Sequence, residues 1–229
     1  MYPASALITD IYYIRARRRR ALFVFALILS GIFLTNAQVR VEKKIENPTL
    51  TRVQIDAAAL YLLDIETAPG SQMFLEGRFD GEYSTNQWVQ VQEVAPHVLL
   101  IRPSFQPFFS LPNDKLSAHK VVSASMHLVF PEGMDVEILG ADGKVQARGT
   151  YKNLVIVTGS GAVDLVQTKG LVEVNTTSGP IRVTHSGMRL TAESVYGKVL
   201  GSPLPLGSGN TQAKIHSQTG DITRVWKPE

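Results

Sequence analysis

The C-terminal half of the chain alternates apolar and polar residues in short runs. Two apolar residues stand two positions apart with one polar residue between them, and the arrangement returns about every nine residues. This period of two predicts β-strands with one buried face, and no ten-residue stretch has the period of a helix. The residues expected to form the buried core are Val163, Leu165, Val172, Val174, Ile181 and Val183.

Glycines separate these runs at a regular spacing. Four of them are 18 residues apart, one falls midway between two of these, and the last follows after 23 residues, as though residues 202–210 contained a five-residue insertion. We expect them to supply positive φ angles at tight corners. These turn glycines are Gly143, Gly161, Gly170, Gly179, Gly197 and Gly220.

Short strands at a fixed pitch, without long connections, predict an all-β fold whose turns stack. The expected form is a parallel β-helix, or β-solenoid, with turns of about 18 residues. An antiparallel sandwich is the competing interpretation, which the 18-residue recurrence makes the weaker one. In the solenoid, residues 18 positions apart are neighbours on successive turns about 4.8 Å apart, which would place Asp164 beside Arg182.

The chain divides into three parts by pattern. Residues 1–37 form a leader, residues 38–130 an irregular β segment with a cap, and residues 131–229 the glycine-punctuated repeats. The least regular stretch begins at Ser104 and contains three phenylalanines, Phe105, Phe108 and Phe109. We expect these rings to cap one end of the repeat core, because repeat arrays need capped ends, and a ligand-binding lip is the alternative.

The leader has the pattern of an export signal. Five arginines between Arg15 and Arg20 precede a 14-residue apolar run, Ala21–Leu34, which fits a signal sequence better than a membrane span of about 20 residues. Cleavage after Ala37 would leave Gln38 as the new N-terminus. An uncleaved inner-membrane anchor with a periplasmic C-terminal domain is the alternative. Both predict export, to the periplasm, the cell surface or the medium.

Charge and composition restrict the possible functions. The leader holds five of the 23 basic residues and one of the 20 acidic ones, so the rest of the chain has 18 basic and 19 acidic residues. A net charge of −1 on the folded part argues against nucleic-acid binding. The chain has no cysteine, which excludes disulfides, thiolate metal sites and a cysteine nucleophile.

Catalytic motifs are weak throughout the chain. Gly159 and Gly161 resemble the start of a dinucleotide loop but lack the third glycine, and the five histidines have no zinc-site spacing. We therefore predict no catalytic, cofactor-binding or metal-binding residues. A glycan-active enzyme would need charged groups on one outer face. The residues that could form such a face are Asp164, Lys169, Glu173, Arg182 and Arg189, although a solvated ionic ladder explains them more simply.

Three short motifs carry a resemblance to a known family. They are Phe130-Pro131-Glu132-Gly133, Thr158-Gly159-Ser160-Gly161 and Thr177-Ser178-Gly179. Over about residues 45–226 the chain resembles an adhesin-like bacterial envelope family of β-solenoid repeats, catalogued as a domain of unknown function. The resemblance implies a solenoid outside the cytoplasm and transfers no catalytic residues.

The expected function follows from these observations together. We expect an exported, non-enzymatic structural or binding module of the cell envelope, with an envelope protein or a glycan as partner and no cofactor. Contact with the membrane is expected only through an uncleaved leader, and exposed strand edges allow self-association. The alternatives are a carbohydrate-active enzyme on a β-helix and a membrane-anchored periplasmic scaffold or sensor.

Overall fold

The computed structural model describes residues 39–46, 49–81, 83–109, 122–206 and 211–228. These residues contain fifteen β-strands, a single 3₁₀ turn and no α-helix. Within them, no helix is both long and apolar enough to cross a bilayer. The leader, with Ala37 and Gln38, lies outside the described residues. The strands are β1 Val39–Glu46, β2 Arg52–Asp56, β3 Leu62–Ala68, β4 Gln72–Gly81, β5 Gln87–Ala95, β6 Val98–Phe105, β7 Val122–Pro131, β8 Asp135–Ala141, β9 Lys144–Thr158, β10 Val163–Thr176, β11 Ile181–His185, β12 Arg189–Ser194, β13 Val199–Leu200, β14 Gln212–Ser217 and β15 Ile222–Trp226.

The all-β prediction is confirmed, and the strands form one mixed sheet that is nearly closed and barrel-like. Antiparallel pairs join β1 to β4, β4 to β7 and β5 to β6. From β8 onward every described pairing is parallel, as in β8–β9, β9–β10 and β10–β11. Antiparallel pairing, which a sandwich would require, is thus confined to the N-terminal strands.

The sheet contains two ladders of strands, joined where β9 and β10 bend. The first ladder runs β1, β4, β7, β3, the first halves of β9 and β10, then β11, β15 and β13. The second runs β5, β6, β2, β8, the second halves of β9 and β10, then β14 and β12. The bends carry positive φ angles at Gly149, Gln167 and Gly170, and the pairing of β9 with β10 slips there.

Six layers are stacked along these ladders, each made of a second-ladder strand, a corner and a first-ladder strand. Neighbouring layers are 18 residues apart through the middle of the stack, where Val145 pairs with Val163 and Val163 with Ile181. Asp164 and Arg182 are register partners, as predicted. In spatial order the layers are β2–β3, β8–β9, β9–β10, β10–β11, β14–β15 and β12–β13.

The last two layers are in inverted chain order. The C-terminal layer β14–β15 lies between β10–β11 and β12–β13, so Ile181 is next to Ile222 and Ile222 next to Val199. At this end an inserted layer therefore separates residues that are 18 positions apart in the chain. This corrects the expectation that such residues are always neighbours on successive turns. A physical reason is strand length: β15 pairs with all five residues of β11, whereas β13 has only two residues in strand conformation.

The corner glycines are needed because the backbones of adjacent layers approach closely there, rather than because the corners require a positive φ angle. Of the six predicted turn glycines only Gly170 has a positive φ, so the expectation of positive φ at the corners is wrong for the other five. At these corners the backbones of adjacent layers touch. A Cβ on Gly161 would lie 2.1 Å from the carbonyl oxygen of Gly143, and one on Gly179 would lie 1.9 Å from that of Gly161. The same close contacts continue from Gly179 to Gly220 and from Gly220 to Gly197.

A hydroxyl three residues before the glycine completes each corner in the last layers. The amide of Gly179 donates to Thr176 Oγ1 at 2.9 Å, and the amide of Gly220 donates to Ser217 Oγ at 2.8 Å. Ser194 repeats the contact at the outermost corner and donates its own proton to the Gly220 carbonyl, 2.8 Å away. The hydroxyls thus satisfy corner backbone groups that the strand ladders leave without partners.

The core lies between the two ladders, and the side chains expected there are buried. All six expose less than a twentieth of their surface. The N-terminal segment is more regular than predicted, because β2 and β3 form a full layer that contributes Val53, Ile55, Leu63 and Ile65 to the same core. This corrects the expectation of an irregular segment. Ala57 and Leu60 take the place of a glycine corner.

The phenylalanines of the expected cap pack on one another. Phe109 lies 5.3 Å from both Phe105 and Tyr83, measured between ring centroids, and Phe108 is fully exposed. None of these rings belongs to the buried core. The described part of the predicted cap therefore does not cover the core, and residues 110–121 lie outside the described residues.

Candidate functional site

A cluster of charged side chains occupies the outer face of the first ladder. We call Asp64, Glu66, His127 and Arg148 the charged cluster. Asp64 and Glu66 alternate with the buried residues of β3, and the register of β3 with β7 and β9 brings His127 and Arg148 beside them. The cluster thus results from pairing between strands that are far apart in the chain.

Arg148 and His127 both bridge the two carboxylates. Arg148 Nε donates to Glu66 at 2.7 Å and Nη2 donates to Asp64 at 2.9 Å. His127 Nδ1 lies 3.2 Å from Asp64 and its Nε2 lies 3.3 Å from Glu66. The hydrogen bond to Glu66 is the main reason that the pKa of Arg148 is raised. Each carboxylate therefore has two basic neighbours, which makes the cluster an ion network rather than a pair of reactive acids.

A buried tyrosine supports the cluster from beneath. The Tyr151 hydroxyl donates to the backbone carbonyl of Arg148, 3.0 Å away. Burial, followed by the charges of Asp64 and Glu66, raises the pKa of Tyr151 far above its usual value. The phenol therefore stays protonated and acts as a hydrogen-bond donor that holds the strand carrying Arg148.

A second ion group adjoins the cluster on β4. Glu76 is hydrogen-bonded to Arg78 and to Arg40, and it is the register partner of His127. The Arg78 hydrogen bond, opposed in part by desolvation, holds the pKa of the Glu76 carboxyl below its usual value. Open clefts of about 530 and 270 Å³ adjoin this face and share Glu76 and His127.

A different surface lies on the outer face of the second ladder. This shallow groove has a volume of about 470 Å³, and Leu171 lines it with half of its surface exposed. Around this leucine, side chains from four strands offer amide, hydroxyl, carboxylate and cationic groups. The groove-lining side chains are Asn153, Val155, Leu171, Glu173, Arg189, Thr191, Gln212 and Lys214.

The two surfaces differ in what they can offer a ligand. The acidic and basic groups of the charged cluster are already bound to one another. In the groove, the apolar side chains of Val155 and Leu171 lie among amide, hydroxyl and charged groups of both signs on an open strand face. No group of three or more His, Asp or Glu side chains arranged to hold a metal ion occurs within the described ranges.

The charged residues considered for an enzyme do not meet on one face. Asp164 and Arg182 are neighbours on the first ladder. Glu173 and Arg189 lie on the second ladder and two layers apart, and Lys169 lies at the bend of β10. The core separates the two outer faces, so these groups cannot act on one bond.

Sequence reasoning missed both the charged cluster and the groove, of which it named only Glu173 and Arg189, as members of a possible charged face. The alternation that places Asp64 between Leu63 and Ile65 was a usable signal for an outward carboxylate. Its partners follow only from the pairing of β3 with strands 63 and 82 residues further along the chain, which no local pattern reveals.

Comparison with known proteins gives a fold relationship only. No protein-family model and no curated protein matches this chain. The crystal structure of a putative cell adhesion protein from Clostridium sporogenes matches with a TM-score of 0.52 and 16% identity, over 83% of this chain and 100% of the other. A putative adhesin from Bacteroides fragilis has a TM-score of 0.36 and 12% identity, over 83% and 99%. One from Parabacteroides merdae has a TM-score of 0.27 and 10% identity, over 81% and 96%. The chain therefore shares the fold of the Clostridium sporogenes protein.

Proposed function

We propose that this chain is an exported, non-enzymatic, adhesin-like binding module of the bacterial cell envelope, and that the second-ladder groove is its contact surface. One observation carries the proposal: the fold matches the whole length of a structure named as a putative cell adhesion protein. The groove is consistent with the proposal, because an open surface with exposed apolar side chains among polar ones suits a glycan or protein surface better than a small enclosed substrate.

We also propose that the stacked layers are a short β-solenoid closed at one end by antiparallel strands. The 18-residue offset between the middle layers, the glycine at five of the six corners and the inward alternation in both ladders support this interpretation. In such an array each layer contacts only its neighbours, and a long outer face is presented by successive strands. The groove is part of that face.

A carbohydrate-active enzyme remains the weaker candidate. Its supporting residues, Asp164 and Glu173 among them, lie on opposite faces of the core. Glycosidases need two carboxyl groups about 5–10 Å apart on either side of the scissile bond. In the charged cluster, both carboxylates are already in contact with Arg148 and His127.

Export is tested by the N-terminal peptide of the full-length chain produced in a bacterial host. Mass spectrometry of the soluble envelope fraction and of the membrane fraction reports where the polypeptide begins. A chain beginning at Gln38 in the soluble fraction supports a free module, and a chain retaining Arg15 in the membrane supports a tethered one. Recovery of the intact chain from the cytoplasm alone would contradict export.

Binding is tested with the full-length chain and with isolated bacterial envelopes and a glycan array as probes. Leu171→Asp replaces an exposed apolar side chain of the groove by a charge and should reduce binding at least about tenfold, the factor that corresponds to about 1.4 kcal/mol. Val166→Asp is the matched control, because Val166 is a similarly exposed apolar strand residue on the first ladder. Equal loss in both variants, or binding unaffected by Leu171→Asp, would rule out the groove.

A further inference from the structure

The two ends of the layer stack are finished differently. At one end the antiparallel strands β1, β4, β5 and β6 extend and close the ladders. At the other end the outermost layer is β12–β13, whose inward side chains Leu190, Ala192 and Val199 are only partly buried. Its corner exposes half of Val195 and three quarters of Tyr196. In the described part of the chain, β12 pairs only with β14 and β13 only with β15.

The free edge of β12 has a defined set of hydrogen-bonding groups. The amides of Arg189 and Val195 point toward β14 and donate to the backbone carbonyls of Thr211 and Ser217. Because successive residues of a strand alternate in direction, the N–H and C=O groups of Leu190 and Ala192 point to the open side. Such an edge is a template for another strand.

We propose that this edge pairs with the same edge of a second copy of the chain, antiparallel and about a two-fold axis that passes through Thr191. A symmetric antiparallel pair must match edge-facing residues with edge-facing residues, so the axis must coincide with a residue position. With the axis at Thr191, Leu190 faces Ala192 of the second copy. Both apolar side chains then extend the core across the interface.

Charge selects this register over its neighbour. With the axis at Thr191, the exposed Arg189 lies opposite Glu193 of the second copy, and symmetry repeats the pair. With the axis at Ala192, Arg189 would face Val195 instead, and no opposite charges would meet. Opposite charges at directly facing strand positions stabilise a pair. Glu193 is well placed for a new partner, since its side chain is three quarters exposed and its only described ionic contact is His216 at 4.0 Å.

The length of the pairing is limited by the chain itself. The amide of Met188 already donates to the Pro205 carbonyl, so the free edge begins after residue 188. Five residues from each copy then pair, which is a smaller contact than the about 800 Å² per partner of stable complexes. We therefore expect reversible association in the range of about 10 µM to 1 mM rather than a permanent dimer.

Disulfide trapping tests the axis directly, because the natural chain has no cysteine. In the proposed register Thr191 faces itself in a non-hydrogen-bonded pair with a Cα separation of about 4.5 Å, which a disulfide can span. Thr191→Cys should be converted to a covalent dimer by mild oxidation of the full-length chain. Val166→Cys, also exposed but three layers from the end, should react at least about tenfold more slowly. Equal rates for the two variants would overturn the proposal.

A charge exchange provides an independent test that does not depend on any ligand in the groove. Arg189→Glu and Glu193→Arg each create like-charge pairs and should weaken association, measured by sedimentation equilibrium, by about tenfold or more. The double variant restores opposite charges and should recover the association of the parent. A parent that stays monomeric at about 1 mM, or a double variant no better than the single ones, would refute the proposed pairing.

Discussion

Replacing Gly161 by alanine tests the close approach of backbones at the corners. The new Cβ would lie 2.1 Å from the Gly143 carbonyl oxygen and 2.8 Å from that of Ala141. Real Cβ atoms essentially never come within 3.0 Å of another heavy atom, so the two layers must separate by roughly 1 Å. The obstructing atoms are backbone atoms of the neighbouring layer, and no rotation of a side chain relieves the contact.

The magnitude follows from what that separation breaks. Two hydrogen bonds join these layers at the corner, from Val145 N to Ala162 O at 2.8 Å and from Gly159 N to Ala141 O at 3.3 Å. Moved apart by 1 Å, neither pair remains within hydrogen-bonding distance. The loss of about 1 kcal/mol for each bond, added to about 1–3 kcal/mol for overpacking, gives about 3–5 kcal/mol. This is a large share of the about 5–15 kcal/mol by which domains are stable.

The assay is urea unfolding followed by circular dichroism, with Gly159→Ala as the matched control. A Cβ on Gly159 would meet only the carboxylate of Asp142, which can rotate away, and would have no backbone atom within 4 Å. The control should lose less than about 1 kcal/mol. If Gly161→Ala loses no more than Gly159→Ala, the close-approach explanation of the glycine spacing is wrong.

Three further predictions concern the core, the charged face and the corners. Val172→Asp should remove at least about 4 kcal/mol of stability, because it places a charge in the core. Leu171→Asp, at the exposed neighbouring position, should cost less than about 1 kcal/mol. Equal urea midpoints for the two variants would refute the assignment of Val172 to the core. The lowered pKa of Glu76 means that its charge stabilises the fold above the unfolded-state pKa and that this contribution is lost as the pH falls through the folded-state pKa. Between about pH 5 and pH 3 the parent should therefore lose more stability than Glu76→Gln. Parallel curves of unfolding free energy against pH would contradict the stabilising contacts of Glu76 with Arg78 and Arg40. Ser217→Ala leaves the buried amide of Gly220 without its acceptor and should cost about 1–3 kcal/mol of stability, measured by chemical denaturation. Ser178→Ala, at an exposed position, should change stability little. A loss for Ser217→Ala no greater than that for Ser178→Ala would refute the corner role of the hydroxyl.

The middle of the fold could be predicted because it is locally repetitive. The 18-residue spacing identified the strands around Val163, Val172 and Ile181 and the pairing of Asp164 with Arg182. It could not reveal the inverted order of the last layers. The segments around Ser194 and Ser217 have the same hydroxyl-to-glycine spacing and similar alternation, so each is compatible with either position. The preference arises from how many residues of β11 find a partner, which is a property of the assembled ladder.

The surfaces were less predictable than the core, for a related reason. The layer β2–β3 has no glycine corner and no 18-residue relation to the repeats, so its regularity was not visible in the sequence. The charged cluster depends on that layer through Asp64 and Glu66. The groove in turn depends on β14 lying between β10 and β12, which brings Lys214 next to Glu173. Both surfaces therefore follow from long-range strand order rather than from local pattern.

The inverted order of the last layers has a consequence for synthesis. A chain that grows from its N-terminus produces residues 189–200 before residues 211–226, yet the earlier segment pairs only with the later one in the described fold. Until residues 211–226 emerge, the earlier segment either waits without its final partner or occupies the edge of β10 and β11 in the 18-residue register. In the second case, final assembly requires displacement of strands that are already paired. Such non-local pairing is slow and leaves strand edges open to other chains. The last step of folding is therefore the period in which newly made copies are most exposed to one another.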